Sequence, residues 1–258
     1  MFTSLFSAVA DLAEHLADLL EPVFHGASTA AAIVLFTALV RLAVHPLSRQ
    51  AARGQKAQAR LRPQLAALRE KHGKDSKALQ KAIMELHAAE KVSPFSGCLP
   101  SLLQMPAFFL LYHLFSSARI GGEANGLLGH TLFQAPLGGR WTDALGHGGV
   151  FGAQGLVYLA LFAIVAAVAT FNYRRTKRQM AANPVVVPGA QEDAPTAAAM
   201  GAMNKFMPLL SFATLFTVAV VPLAAALYVV TSTTWTAVER AFLYRDMVPA
   251  PAALAAAA

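Results

Sequence analysis

The stretch Thr29–Pro46, TAAAIVLFTALVRLAVHP, decides what kind of molecule this chain is. Apart from Thr37 it is apolar from Ala30 to Val40, and it resumes through Leu42, Ala43 and Val44, a pattern that reads as a membrane-crossing helix. Arg41 interrupts it, and no other Lys or Arg falls inside an apolar span of the chain, Lys205 and Arg240 standing at span ends. An ionisable side chain in hydrocarbon costs at least ~2.5 kcal/mol, so its default reading is functional, with water or a polar partner nearby. A second reading stays open at this point. Arg41 lies about seven residues, or roughly 10 Å of helix, from the polar pair Ser48–Arg49, and a long side chain recovers part of that distance by snorkelling to the interface.

The remaining composition agrees with a polytopic membrane protein. Of 258 residues, 56% are hydrophobic and only 14% charged, and the mean hydropathy is +0.48, far more apolar than a soluble domain of this length. A single cysteine, Cys98, excludes an intrachain disulfide framework and a cysteine metal cluster. The net charge of +7 is compatible with an acidic partner, but in a membrane protein the position of the basic residues carries the information.

Working outward, residues 1–26 space Phe2, Leu5, Phe6, Val9, Leu12, Leu16, Leu19, Leu20 and Val23 at helical intervals. Asp11, Glu14, Asp18 and Glu21 stand on the other side, so this reads as an extracytoplasmic amphipathic helix lying in the interface. It is a poor signal peptide, lacking a basic start. The first span is 27–47. Residues 48–95 hold eleven Lys and Arg, from Arg49 to Lys91, and form a cytoplasmic helical hairpin. Leu61, Leu65 and Leu68 make one stripe and Leu79, Ile83 and Leu86 another; between them Gly73 ends one helix and Asp75 or Ser76 caps the next. Its basic face, with Arg53, Arg60, Arg62, Arg69, Lys71, Lys74, Lys77 and Lys81, fits anionic lipid headgroups or an acidic partner such as ribosomal RNA.

The second span, 96–118, carries Pro100 and Pro106 and is expected to bend. The glycine-rich stretch 119–149 is read as an extracytoplasmic loop, 150–173 as the third span and 174–203 as a cytoplasmic loop. The long apolar region after it is divided at Pro222 into two short spans, 204–221 and 222–243, followed by a cytoplasmic tail, 244–258. The fold class is therefore all-α, a five-span helical bundle with the N-terminus outside and the C-terminus in the cytoplasm. In this topology, 18 of the 21 Lys and Arg residues are cytoplasmic and two are outside, a strong positive-inside bias.

Catalytic signatures are absent from the sequence: it contains no HExxH, no GxSxG, no phosphate-binding glycine loop and no metal-ligand cluster. The chain is expected not to be an enzyme and to need no cofactor. Every Asp and Glu lies in a loop or at a span end, so no carboxylate is available within the spans to neutralise Arg41. Its surroundings must come from water, hydroxyls, amides or an arriving negative group. Gln104, Ser211, Thr214, Thr217, Tyr228, Thr231, Ser232, Thr233, Thr234 and, near its span's end, Asn172 are the candidates, and the run TSTTWT in the last span is too polar to face lipid all round. His45 and His113 read as polar residues satisfied by neighbouring helices.

Three stretches carry a resemblance. EKVSPFSGCLPSLLQMP with AFFLLYHLF, MNKFMPLLSFATLFTVAVVPLAAALYVVTSTTWTAVERAFLYR, and VRLAVHPLSRQ closely resemble the YidC/Oxa/Alb family of membrane protein insertases. Over about Ser28 to Arg245, the resemblance implies a five-span core around a hydrophilic groove open to the cytoplasm and to lipid. It places Arg41 as the groove arginine, Gln104, Met105 and Pro106 at the span entry, and Tyr228 in the last span. It also implies a bacterial inner (cytoplasmic) membrane location, nascent membrane proteins as substrates, and membrane lipids, the ribosome, the signal recognition particle pathway and the Sec translocon as partners, with the monomer as working unit. His113 stands where a tyrosine is common, and the short Ala-Pro tail departs from the basic tails of some members. The resemblance excludes neither a small-solute transporter or channel with an intramembrane anion site nor a structural assembly factor.

Overall fold

The computed structural model describes residues 2–72, 75–93, 105–120, 122–182 and 206–245. They are mostly helical and divide into two units. The first comprises Met1–Val44, Met105–Phe171 and Ser211–Val238; the second comprises His45–Gln104, Asn172–Leu210 and Glu239–Ala258.

In the first unit, α1 (Phe2–Phe24) packs on α2 (Ser28–Ala43) across a short 3-10 turn, His25–Ala27. Ser28 Oγ donates to Glu21 Oε2 at 2.5 Å, tying the two helices beside the turn. The apolar stripe expected for α1 is split. Ala10, Ala13 and Ala17 are the buried positions, with Phe6, Val9 and Leu16 packed partly against the core, while Leu12, Leu19 and Val23 are exposed. Alanines let the neighbouring backbone approach closely, so small residues rather than the bulky ones form the contact face. The run Phe6–Ala43 and the helix stretch Ala153–Met180 are each long and apolar enough to cross a membrane, and Met105–Ser116 and Met207–Val220 are shorter apolar helical stretches.

Helix α5 (Met105–Ser116) ends against Asn125, whose Nδ2 donates to the carbonyls of Leu114 (2.7 Å) and Ser117 (3.0 Å). These are the acceptors that a helix C-terminus leaves open. The segment after it, expected to be a loop, contains two small antiparallel pairs. β1 (Arg119–Ile120) pairs with β2 (Glu123–Ala124), and β3 (Thr131–Leu132) with β4 (Ala135–Pro136). Phe133 and Gln134 join the second pair, both with positive φ, the geometry that matches the twist of a two-residue hairpin. A short helix, α6 (Trp141–Gly146), follows, and then α7 (Ala153–Ala182), which continues past the expected span end at Tyr173. From Arg174 to Ala182 there is no Gly or Pro to stop it, and Arg, Lys, Gln and Met propagate a helix well.

The division at Pro222 is present. Met207–Phe212 is 3-10, α8 (Ala213–Val220) is only 8 residues, and α9 (Leu223–Leu243) is 21. Val221 is extended, at φ −82° and ψ 158°, because the ring of a following proline disfavours helical backbone. The hairpin segment beneath α9 supplies what its N-terminus lacks: Leu223 N–H donates to Gly139 O (2.8 Å) and Ala224 N–H to Leu137 O (2.9 Å). Tyr158 on α7 donates its hydroxyl to the same Gly139 carbonyl at 2.7 Å, so three elements meet at one backbone position.

The start of α7 gives a direct test of this packing. A Cβ on Gly155 would strike the carbonyl oxygens of Val150 and Gly149, the latter at 2.5 Å, whereas Gly146 has open space. Overpacking of this kind costs about 1–3 kcal/mol. Gly155→Ala is expected to lower the unfolding temperature in detergent by roughly 2–4 °C per kcal/mol lost, and Gly146→Ala to leave it nearly unchanged. Equal behaviour of the two variants would refute the close approach.

In the second unit, α3 (His45–His72) and α4 (Ser76–Ala89) are in contact. Pro46 sits in the first turn of α3, where no helical partner for its missing N–H is needed. Asp75 caps α4, its Oδ1 accepting from Lys77 N (3.1 Å) and Ala78 N (3.0 Å).

Candidate functional site

Helix α2 brings Thr37 and Arg41 to one face, four residues apart. Thr37 is fully buried and donates its hydroxyl to Ile33 O at 2.7 Å, so it is satisfied within its own helix. Arg41, one turn further on, is partly buried, and its Nε donates to Ser232 Oγ at 2.9 Å. Its Nη2 donates to the same oxygen. A serine hydroxyl has two lone pairs and takes both N–H groups, so the two bonds fix the plane of the guanidinium.

Helix α9 presents Ser232 together with Tyr228, again four residues apart. They are 4% and 2% exposed, so both arms of the contact are set inside the packed unit. The Tyr228 hydroxyl lies close to Ser232 and within electrostatic reach of the Arg41 charge. Its ring is held by two phenylalanines of α5, Phe108 and Phe115, each with its centroid 5.9 Å away. Phe108 also stacks on Tyr112 at 5.9 Å and 10°. A charge, a hydroxyl and a phenol thus converge from α2 and α9, backed by aromatic rings from α5.

Of the other hydroxyls expected near Arg41, Thr233 donates to Val229 O (2.8 Å), and Thr236, which was not among them, donates to Ser232 O (2.8 Å), both back-bonds along their own helix. Thr234 Oγ1 and Trp235 Nε1 are buried with no hydrogen-bond partner among the described residues. Ser211, in the 3-10 segment, and Thr214, on α8, are half-buried in the same unit as Arg41. Asn172 belongs to the second unit. Gln104, Lys74 and the side chain of Arg69 lie outside the described residues.

The second unit carries the basic hairpin. Arg53, Arg60, Arg62, Lys71, Lys77 and Lys81 are exposed, while Ala51, Ala52 and Leu61 are buried beneath them. Gln58 Nε2 donates to Ser93 O (3.2 Å), and His87 Nδ1 lies 2.9 Å from Val92 O, closing the end of α4 onto the chain that follows. His45, expected to be satisfied by a neighbouring helix, meets Glu239, Nδ1 to Oε1 at 2.5 Å, a partner that the sequence did not single out. The available signal was charge, since Glu239 is the acidic residue of the stretch 222–243.

Residues 20–250 match the model of the family described as the 60Kd inner membrane protein. Among curated proteins, a membrane protein insertase YidC from Maridesulfovibrio salexigens is 46% identical over 81 residues, 31% of this chain and 15% of that protein. One from Azotobacter vinelandii is 44% identical over 80 residues, 31% of this chain and 14% of that protein. One from Geobacter sulfurreducens is 40% identical over 81 residues, again 31% and 15%. These alignments therefore span only a small part of each relative, whereas the family match takes in the Arg41 helix, the basic hairpin and the helix carrying Tyr228 and Ser232. With its membrane-length apolar helices, this helical membrane protein belongs to the 60Kd inner membrane protein family, the family of YidC and Oxa1.

Proposed function

We propose that the chain is a membrane protein insertase and chaperone. Its five spans, with the N-terminus outside and the C-terminus in the cytoplasm of a bacterial inner membrane, enclose a hydrophilic groove around Arg41. The observation that carries this reading is the partly buried guanidinium of Arg41, held by Ser232 beside Tyr228 among apolar helices. A fixed positive charge in such a place attracts the short, often acidic, tail of an incoming segment. Water in the groove lowers the cost of moving polar groups partway across, and the short helix α8 favours a locally thin bilayer. Burial of about twenty apolar residues in lipid drives the rest, so neither a nucleotide nor a cofactor is required and no covalent chemistry is involved.

Ser211, Thr214, Thr233, Gln104 and Asn172 are the remaining groove residues in this proposal. The exposed basic residues of the hairpin face the membrane surface and the nascent chain's source, with the ribosome, the signal recognition particle pathway and the Sec translocon as partners and the monomer as working unit. A photo-crosslinker placed at Thr214, and for comparison at the exposed Phe216, tests the groove on ribosome-bound nascent membrane proteins. Insertase action gives adducts from position 214; adducts from position 216 alone point to a scaffold, and ion flux through proteoliposomes without any adduct points to a channel.

A further inference from the structure

The basic run Arg174, Arg175, Lys177, Arg178 stands at the start of the stretch read from sequence as a cytoplasmic loop, and counts there as a topology signal. Its side chains are not equivalent. Arg174, Lys177 and Arg178 are exposed, but Arg175 turns inward on α7, and its Nη2 is buried with no hydrogen-bond partner among the described residues. Burying a guanidinium N–H without an acceptor is costly, and that cost marks a place where an acceptor belongs.

Its surroundings are those of an anion site within the second unit. The guanidinium carbon lies 5.9 Å from the centroid of the Tyr244 ring, just past the end of α9. Arg240, one turn before Tyr244 on α9, adds a second positive charge within coulombic reach of both Arg175 and Tyr244. The charge of Glu239 is also felt at Tyr244, but its carboxylate is engaged by His45 Nδ1. Two like charges are therefore brought together, one with a buried unsatisfied donor and the other exposed to solvent. A group with several anionic oxygens relieves both, accepting from Arg175 inside and Arg240 outside.

We propose that Arg175 and Arg240, beside Tyr244, form a binding site for a phosphate group, that of an anionic phospholipid headgroup. Charge attraction favours the lipid as the source: Arg174, Lys177 and Arg178 beside the site draw it toward a negatively charged leaflet. The proposal goes beyond insertion and does not depend on it.

Native mass spectrometry of the full-length, delipidated chain in detergent tests this with phosphatidylglycerol and phosphatidylcholine of identical acyl chains. The unaltered protein is expected to retain phosphatidylglycerol with about tenfold preference, a difference that one charge-assisted contact supplies. Arg175→Gln and Arg240→Gln should each remove most of that preference, Arg175→Lys should restore part of it, and Arg174→Gln should leave it intact. Equal retention by the unaltered protein, Arg175→Gln and Arg240→Gln would overturn the proposal, as would an equal loss in Arg174→Gln, which would mean diffuse charge and no defined site. If Arg175→Gln does not fold, the exposed Arg240 still decides the matter. Titration with inorganic phosphate separates the sources: displacement of phosphatidylglycerol at millimolar phosphate keeps the two-arginine phosphate site and reassigns it to free phosphate, while no displacement supports the lipid.

Discussion

Under the proposed insertase function, insertion of a substrate with an acidic translocated tail is expected to fall by about ten- to a hundredfold in proteoliposomes carrying Arg41→Ala, because a bond to a charged group contributes about 1.5–3 kcal/mol. A substrate whose tail is neutral is affected much less, which separates the electrostatic role from a general loss of structure. Arg41→Lys retains the charge but not the planar fork that places two N–H groups on Ser232, so its rate lies between the two. Ser232→Ala leaves the charge present and frees the guanidinium to move, and a severalfold loss is expected. Wild-type rates for Arg41→Ala on the acidic-tail substrate would refute the electrostatic role while leaving the family assignment untouched.

The second large effect is on stability. Tyr228 is 2% exposed and lies between Phe108 and Phe115, so Tyr228→Ala removes a ring from a filled site. Truncation of a buried aromatic costs about 3–5 kcal/mol, and denaturation in detergent should show it as a clear fall in the unfolding midpoint. Tyr228→Phe keeps the ring and loses only the hydroxyl near Ser232 and Arg41, a polar group whose removal costs at most about 1 kcal/mol. If the two variants were equally destabilised, the hydroxyl and not the aromatic packing would hold this part of the unit together.

These two residues also show how far the sequence could be read. Arg41 was visible at once, since a charge in an apolar run stands out against a large transfer penalty, and the family motifs singled out Tyr228. The run TSTTWT was visible too, but its hydroxyls were indistinguishable: each can bond its own helix, a neighbour or water. Only packing showed that Ser232 turns to Arg41 while Thr233 and Thr236 turn back on their own helix.

By itself the sequence determined what depends on chemistry repeated over many residues. This includes the membrane class, from the excess of apolar side chains, and the division at Pro222, from a missing N–H and the restriction on Val221. It also includes a capped start to α4 at Asp75 or Ser76, of which the structure uses Asp75. The tertiary structure alone decided what depends on one particular atom meeting another across the chain. The alanine face of α1, the hairpins within 119–149, the carbonyls of Leu137 and Gly139 on the start of α9, and the pairing of His45 with Glu239 all belong here. Side-chain periodicity tells which way a residue faces on its own element, but the partner it meets is set by packing between elements distant in sequence, and local pattern carries no record of that.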